Sequence, residues 1–428
     1  MMLAPLKTRD YRLLWIGQGI SHLGDQFHLI ALPWLVLTLT HDPFQLGLVL
    51  ALAGIPRAAV MLIGGAFADR HSPRVIMLVS DALRFVIAAA LAVSILTGTV
   101  QLWMVYALAL SFGVVSGFFM PAAEASLPRL LKDEQLEGGN ALMMGVAQLM
   151  SFVGPALAGT VIALFGAAQV GADQAGGLRG IGVALAVDAA SFVLSAAMLA
   201  LMRSLPALGA GSHPFAAVAE GIRYTWSRPV FRWMLGLIAA VNFLVIGPLL
   251  VGVPVLAQTR FSQGAAAFGW LMAAYGLGSL AGMVVAGTAR RPSSRLFSGL
   301  IIGLFAGFGV VIALLASITS VWVGVVLLVV LGVGDGYVAV TMMSVVQRVT
   351  PKTMLGRVMS LVMLAMLGLM PVSTALAGAI IKLGPTALFA GAGAGLLLVT
   401  AVAATGRRGW SLEALEAAGE DGLAAEAA

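Results

Sequence analysis

GGAFADRHSPR, residues 64–74, gathers an acid, two arginines, a histidine and a proline into its last six positions, in a chain that is 60% hydrophobic and only 10% charged. On either side lie apolar runs, roughly residues 44–68 and 75–97. At 1.5 Å per helical residue each is long enough to cross a hydrocarbon layer about 30 Å thick. Charge concentrated between two such runs reads as the watery turn of a membrane hairpin.

The alternation continues outward in both directions. Twelve apolar spans can be read, at about 12–38, 44–68, 75–97, 101–123, 141–168, 180–202, 231–257, 265–289, 296–317, 321–346, 358–382 and 385–405, and the mean hydropathy is +1.02. Lipid offers no partner for backbone N–H and C=O groups, so the spans must be helices or a closed barrel, and unbroken apolar runs lack the alternation a barrel requires. The predicted fold class is an all-α membrane protein with twelve transmembrane helices.

The basic residues orient it. Of 24 Lys and Arg, 19 fall in alternate loops on one side, only Arg179, Arg260 and Lys382 on the other, and Arg57 and Arg84 within spans. That bias places both termini in the cytoplasm, as in a multi-pass protein of the cytoplasmic (inner) membrane. The net charge of +6 is spread between helices and forms no patch, so no nucleic-acid partner is expected. The first apolar run has no small-residue cleavage site after it and reads as a retained signal anchor. The absence of cysteine excludes disulfides, thiolate metal sites and cysteine nucleophiles. No H-E-x-x-H, G-x-S-x-G or G-x-x-x-x-G-K-[ST] occurs, so neither an enzyme nor an ATP-driven pump is expected, and no cofactor.

Residues 203–230 divide the spans six and six. The expected domains are 1–202, a six-helix half; 203–230, a cytoplasmic linker in which Phe215, Val218, Ile222 and Trp226 form one face of a surface helix; 231–406, the second six-helix half; and 407–428, an acidic cytoplasmic tail. The halves repeat. Gly47 and Gly54 return as Gly269 and Gly276, offset by 222, while Gly113, Gly117 and Arg129 return as Gly332, Gly336 and Arg348, offset by 219. Pseudo-repeated halves enclosing a midplane site are a transporter architecture.

Ionisable groups inside lipid are costly, so each marks a candidate site. Asp25 lies 13 residues above Arg12, and Arg57 lies 12 residues from Asp69. Both are then about 18–20 Å from the inner boundary, a depth at which they are expected to pair. An acid whose ionisation is favoured by an arginine and opposed by burial suits a proton carrier. Gln18 and His22 share a helical face with Asp25, and Asp335 and Asp188 are also deep; these six residues are the candidates for proton coupling or the substrate cavity. His22, Asp25 and His28 are too dispersed around the helix for a metal, and no metal site is expected. In the hairpin, Gly65, Asp69, Arg70 and Arg74 form a candidate cytoplasmic latch through charge-assisted bonds, with Asp81, Arg84, Glu124 and Arg129 as its supporting charges.

GAFADRHSPRVIM, with Gly65, Asp69, Arg70, Arg74 and Met77 in register, resembles the loop 2-3 signature of the major facilitator superfamily; Ser72 and Pro73 stand where that signature usually has a glycine and a basic residue. The second-half loop ARRPSSR, 289–295, keeps the bases and lacks the acid. The stretches SHLGDQFHLIALPWLVLTLT (21–40), LVSDALRFV (78–86), FMPAAEASLPRLL (119–131) and AEGIRYTWSRP (219–229) look like the bacterial branch that includes enterobactin exporters and macrolide efflux proteins. The spacing of Gly145, Gly154, Pro155 and Gly159 is similar to the antiporter signature of drug exporters. This resemblance implies a secondary active transporter that exports a small amphipathic molecule, such as a drug, macrolide or siderophore-like compound, by alternating access in exchange for protons. The alternative is a uniporter or a lipid or lysolipid flippase on the same scaffold. The expected partners are the small-molecule substrate, protons and membrane lipid, with the chain a monomer.

Overall fold

The computed structural model describes residues 3–167, 175–205, 223, 226, 229–288, 294–350 and, apart from 360, 363, 364 and 367, residues 358–405. Most of the 203–230 linker, most of ARRPSSR and the acidic tail lie outside them. Among the described residues all regular structure is helical. The α-helices are α1 (Arg9–Thr40), α2 (Pro43–Arg70), α3 (Pro73–Leu96), α4 (Leu102–Leu130), α5 (Asp133–Ala167), α6 (Ala175–Leu201), α7 (Pro229–Gly247), α8 (Val253–Arg260), α9 (Ala265–Thr288), α10 (Ser294–Leu315), α11 (Val321–Val349), α12 (Met370–Ile380) and α13 (Pro385–Thr405). A π-helical turn, Pro248–Gly252, joins α7 to α8, so that Arg232–Arg260 counts as one crossing.

Among the described residues, eleven helices are long and apolar enough to span a membrane. The expected span at 358–382 is represented by a shorter apolar helix, Met370–Leu383, because several residues before it lie outside the described set. Punctuation by proline explains the boundaries. Pro43 and Pro73 occupy first helical turns, where a missing N–H costs nothing, and the Asp42 side chain accepts the Phe44 N–H at 2.9 Å to cap α2. Pro33, Pro56 and Pro155 sit within helices that nevertheless continue.

The chain forms two compact units: Met1–Pro214 with Val253–Gly276, and Phe215–Gly252 with Leu277–Ala428. In lipid, helices gain little from hydrophobicity against each other and pack through small residues. In the first unit a Cβ on Gly113 of α4 would run into the Ala53 backbone of α2. In the second, Gly278 and Gly282 of α9 bring the same closeness against Val329 and Val333 of α11. The fourth crossing of each unit is thus pressed on the second; of the repeated glycines, Gly113, Gly117 and Gly336 lie at these contacts, whereas Gly269 and Gly276 meet α5.

Polar ties pin the first unit at the ends of its helices. The Tyr11 hydroxyl donates to the Gly139 carbonyl at 2.8 Å and Trp15 Nε1 to that of Leu142 at 3.0 Å, fastening α1 to α5. Arg74 Nε and Nη2 donate to the Leu199 and Ala200 carbonyls, each at 2.7 Å, so this guanidinium caps the C-terminus of α6. Arg74→Ala is expected to lower stability by about 1–3 kcal/mol, the scale of a charged hydrogen bond. A depressed melting temperature of the purified protein, only partly restored by lysine, which lacks the planar fork, would check this.

In the second unit α7 meets α12 through one serine. Ser373 donates its hydroxyl proton to the Phe243 carbonyl and accepts the Gly247 N–H at 2.9 Å. Residues 243 and 247 are the i and i+4 partners of an ordinary helical bond, so the serine is spliced into the ladder one residue before the π turn, a recognised cause of bending.

Candidate functional site

Helix α1 carries two polar faces. His22 and Asp25 stand on an open one: their side chains are 33% and 36% exposed, with His22 Nδ1 3.8 Å from Asp25 Oδ2. Gln18 and Ser21 point inward and are buried, and neither Gln18 Nε2 nor Ser21 Oγ has a hydrogen-bond partner. The single stripe of Gln18, His22 and Asp25 expected from spacing is therefore divided, with Gln18 inside the helical packing. Arg57 of α2 is half-buried and within electrostatic reach of Asp25 and Arg84, yet it makes no ion pair with Asp25 within 4.0 Å. Equal depth did not bring the two side chains together.

Behind that face is a second, enclosed cluster. Gly24 gives α6 room to approach α1: a Cβ there would clash with Ser191 and come within 3.0 Å of Asp188 Oδ1. Asp188, fully buried, meets His28 Nδ1 through Oδ2 at 3.1 Å, while its Oδ1 has no hydrogen-bond partner. The His28 ring stacks on Phe112 of α4, centroids 4.4 Å apart and planes within 8°. On α3, Arg84 lies 3.9 Å from Asp81, both buried, and its guanidinium sits 4.1 Å above the Phe119 ring, with Phe112 and Phe192 at 5.7 and 5.6 Å. Ser195, one turn along α6 from Ser191, is buried too.

Asp81 and Arg84 therefore belong to this interior cluster. Arg84 is eleven residues into α3, about 16 Å from its start, too deep to support a latch at the cytoplasmic turn. Gly65 and Asp69 lie in the last turns of α2, with side-chain placement outside the described set; Arg70 is exposed, and Arg74 serves α6. Glu124 is exposed within α4, five residues before the half-buried Arg129. Asp335 is half-buried on α11, in the second unit. The pairing of His28 with Asp188 and the aromatic cage of Arg84 were not anticipated from sequence. The available signal was the spacing of Asp188, Ser191 and Ser195, three polar residues on one face of an otherwise apolar helix.

The glycines of α5 divide as well. Gly145 faces open space, and Gly154 accommodates Gln26 of α1. Gly159 meets Gly269 of α9, where an added Cβ would come within 2.9 Å of the Gly269 Cα. Farther along, Gln148 Nε2 donates to the Gly276 carbonyl at 3.2 Å. Among the described residues no group of three or more His, Asp or Glu side chains is arranged to hold a metal.

The family model of the Major Facilitator Superfamily matches residues 14–375. The enterobactin exporter EntS of Shigella boydii is 27% identical over 369 residues, covering 83% of this chain and 82% of that protein. The same exporter of Shigella flexneri is 26% identical over 367 residues, covering 83% and 81%. Among solved structures, a POT family transporter in complex with a thioalcohol-conjugated peptide superposes with a TM-score of 0.72 at 14% identity, covering 93% of this chain and 96% of that one. A D-xylose-proton symporter also gives 0.72, at 12% identity and 91% and 96% coverage. At such identities these two likenesses speak for the fold.

Proposed function

This chain belongs to the major facilitator superfamily, a membrane transporter and not an enzyme, and from that membership we propose that it exports a small amphipathic molecule across the cytoplasmic membrane by alternating access, in exchange for protons. Export is supported by likeness to an enterobactin exporter along four-fifths of both chains, and drugs, macrolides and siderophores are the substrate classes to examine. Both termini are cytoplasmic in this reading, in keeping with the 19-to-3 distribution of basic residues.

The observation that carries the coupling is Asp25: a carboxylate deep in a spanning helix, one-third exposed on an open face, with a histidine 3.8 Å away and the Arg57 charge in reach. An acid so placed exchanges protons with whatever space that face opens to, and His22 and Arg57 tune its readiness to do so. Gln18 is assigned to helix packing, and Asp335 and Asp188 are left to line or support the cavity. Asp69, Arg70 and Arg74 are proposed to steady the cytoplasmic turn.

The test is accumulation of a panel of dyes, macrolides and siderophores in cells with and without the protein, each with and without an uncoupler. Expression is expected to lower accumulation of at least one class, and the uncoupler to abolish that effect. In Asp25→Asn the response to the gradient should disappear while the protein remains folded. Undiminished uncoupler-sensitive export by this variant would remove Asp25 from the role, and export that ignores the uncoupler would make the protein a uniporter or flippase.

A further inference from the structure

In the export reading above, the enclosed cluster has no part in proton exchange. We propose that His28 and Asp188 form an internal proton-binding dyad within the first unit, a second protonation site behind Asp25; this deepens the coupling part of the export reading and rests on it.

Charge balance is the first argument. Asp81 and Asp188 are both fully buried among α1, α3, α4 and α6, and the buried Arg84 guanidinium supplies one fixed positive charge to this core. An uncompensated ion in such surroundings is costly, so two carboxylates and one guanidinium call for one additional proton. The only other titratable group bonded to either acid among the described residues is His28.

Access is the second. The Asp188 side chain is sealed, whereas that of His28 is 15% exposed, so a proton reaches the acid by way of the imidazole. Stacking on Phe112 fixes the ring plane, and Nδ1 stays on Oδ2. The transfer balances simply. The neutral ring, protonated at Nδ1, accepts a proton at Nε2 and passes the Nδ1 proton to Asp188 Oδ2. A neutral imidazole protonated at Nε2 remains beside a neutral carboxylic acid. Release runs the same steps backwards.

The charged groups facing the dyad are few. Asp25 and His22 lie on its own helix, Asp81 and Arg84 on α3, and Arg57 on α2. Helix α4 presents Phe112, with Glu124 and Arg129 farther toward its end; α5 bears its acids, Asp133, Glu134 and Glu137, in its first turns; and α6 otherwise has only Arg179, near its start. None of these bonds to His28, and Arg84 is already engaged with Asp81 and the aromatic rings.

Infrared spectra of the full chain in lipid nanodiscs, recorded from neutral to acid pH, test the dyad with protons as the sole ligand. The parent protein is expected to gain a protonated-carboxyl band on acidification. The component of that band lost in Asp188→Asn should be kept in Asp25→Asn, and its pH midpoint should move in His28→Gln. A band in Asp188→Asn identical to that of the parent, or a component whose midpoint is unchanged in His28→Gln, overturns the proposal; if Asp188→Asn does not fold, the difference between the parent and His28→Gln serves alone. Because no substrate is used, a failed panel assay would sink the export reading while leaving this result to stand or fall by itself.

Discussion

Arg84→Met is expected to destabilise the protein by about 3–5 kcal/mol, the scale measured when one member of a buried ion pair is removed and its partner is left behind. The partner here is Asp81, fully buried, with Arg84 its nearest charge at 3.9 Å. Methionine preserves much of the packing among Phe112, Phe119 and Phe192, so the loss reports the charge and the cation–π contacts rather than an emptied cage. The diagnostic comparison is the double variant Arg84→Met with Asp81→Asn. Neutralising both ends should recover most of the melting temperature and monodisperse yield lost in the single variant. If the double variant were no better than Arg84→Met alone, the arginine would be acting through shape, and the electrostatic account of this core would be wrong.

The second large effect is expected at Gly269. A side chain there would meet the Pro155 carbonyl and come within 2.9 Å of the Gly159 Cα, backbone atoms that cannot rotate away. Gly269→Val should wedge α9 from α5 and abolish export of whichever panel substrate the parent handles, with the protein still extractable as a single species. Gly269→Ala should lose a smaller share, because one methyl group asks for a smaller shift. Undiminished export by the valine variant would mean that this close approach has no part in the cycle.

Much of the architecture was legible because membranes impose simple length and polarity rules. The hairpin at 64–74 and the pattern of spans follow from one-dimensional periodicities, and among the described residues eleven long apolar helices bear them out, with the span expected at 358–382 described only in part. The site was harder to read for a geometric reason. Depth along a helix can be counted from sequence, and by that measure Asp25 and Arg57 matched; rotation about the axis could not be fixed well enough to tell whether they meet. The assignment of Arg84 to the cytoplasmic turn failed instead on depth, since its count from Pro73 already places it about 16 Å into α3. His28 and Asp188 are 160 residues apart, and the close approach of α1 to α6 at Gly24 helps to bring them together. A glycine in a Gly-rich chain does not announce which partner it admits.

The serine spliced between Phe243 and Gly247 gives α7 a reversible joint. With the hydroxyl inserted, donor and acceptor are each satisfied by Ser373; with it withdrawn, they can satisfy each other. Straight and bowed forms of the rod thus differ little in unmet polarity, even in an environment where a stray carbonyl would be punished severely. At this point α7 can interrupt its ladder without leaving a backbone group to face oil unpaired.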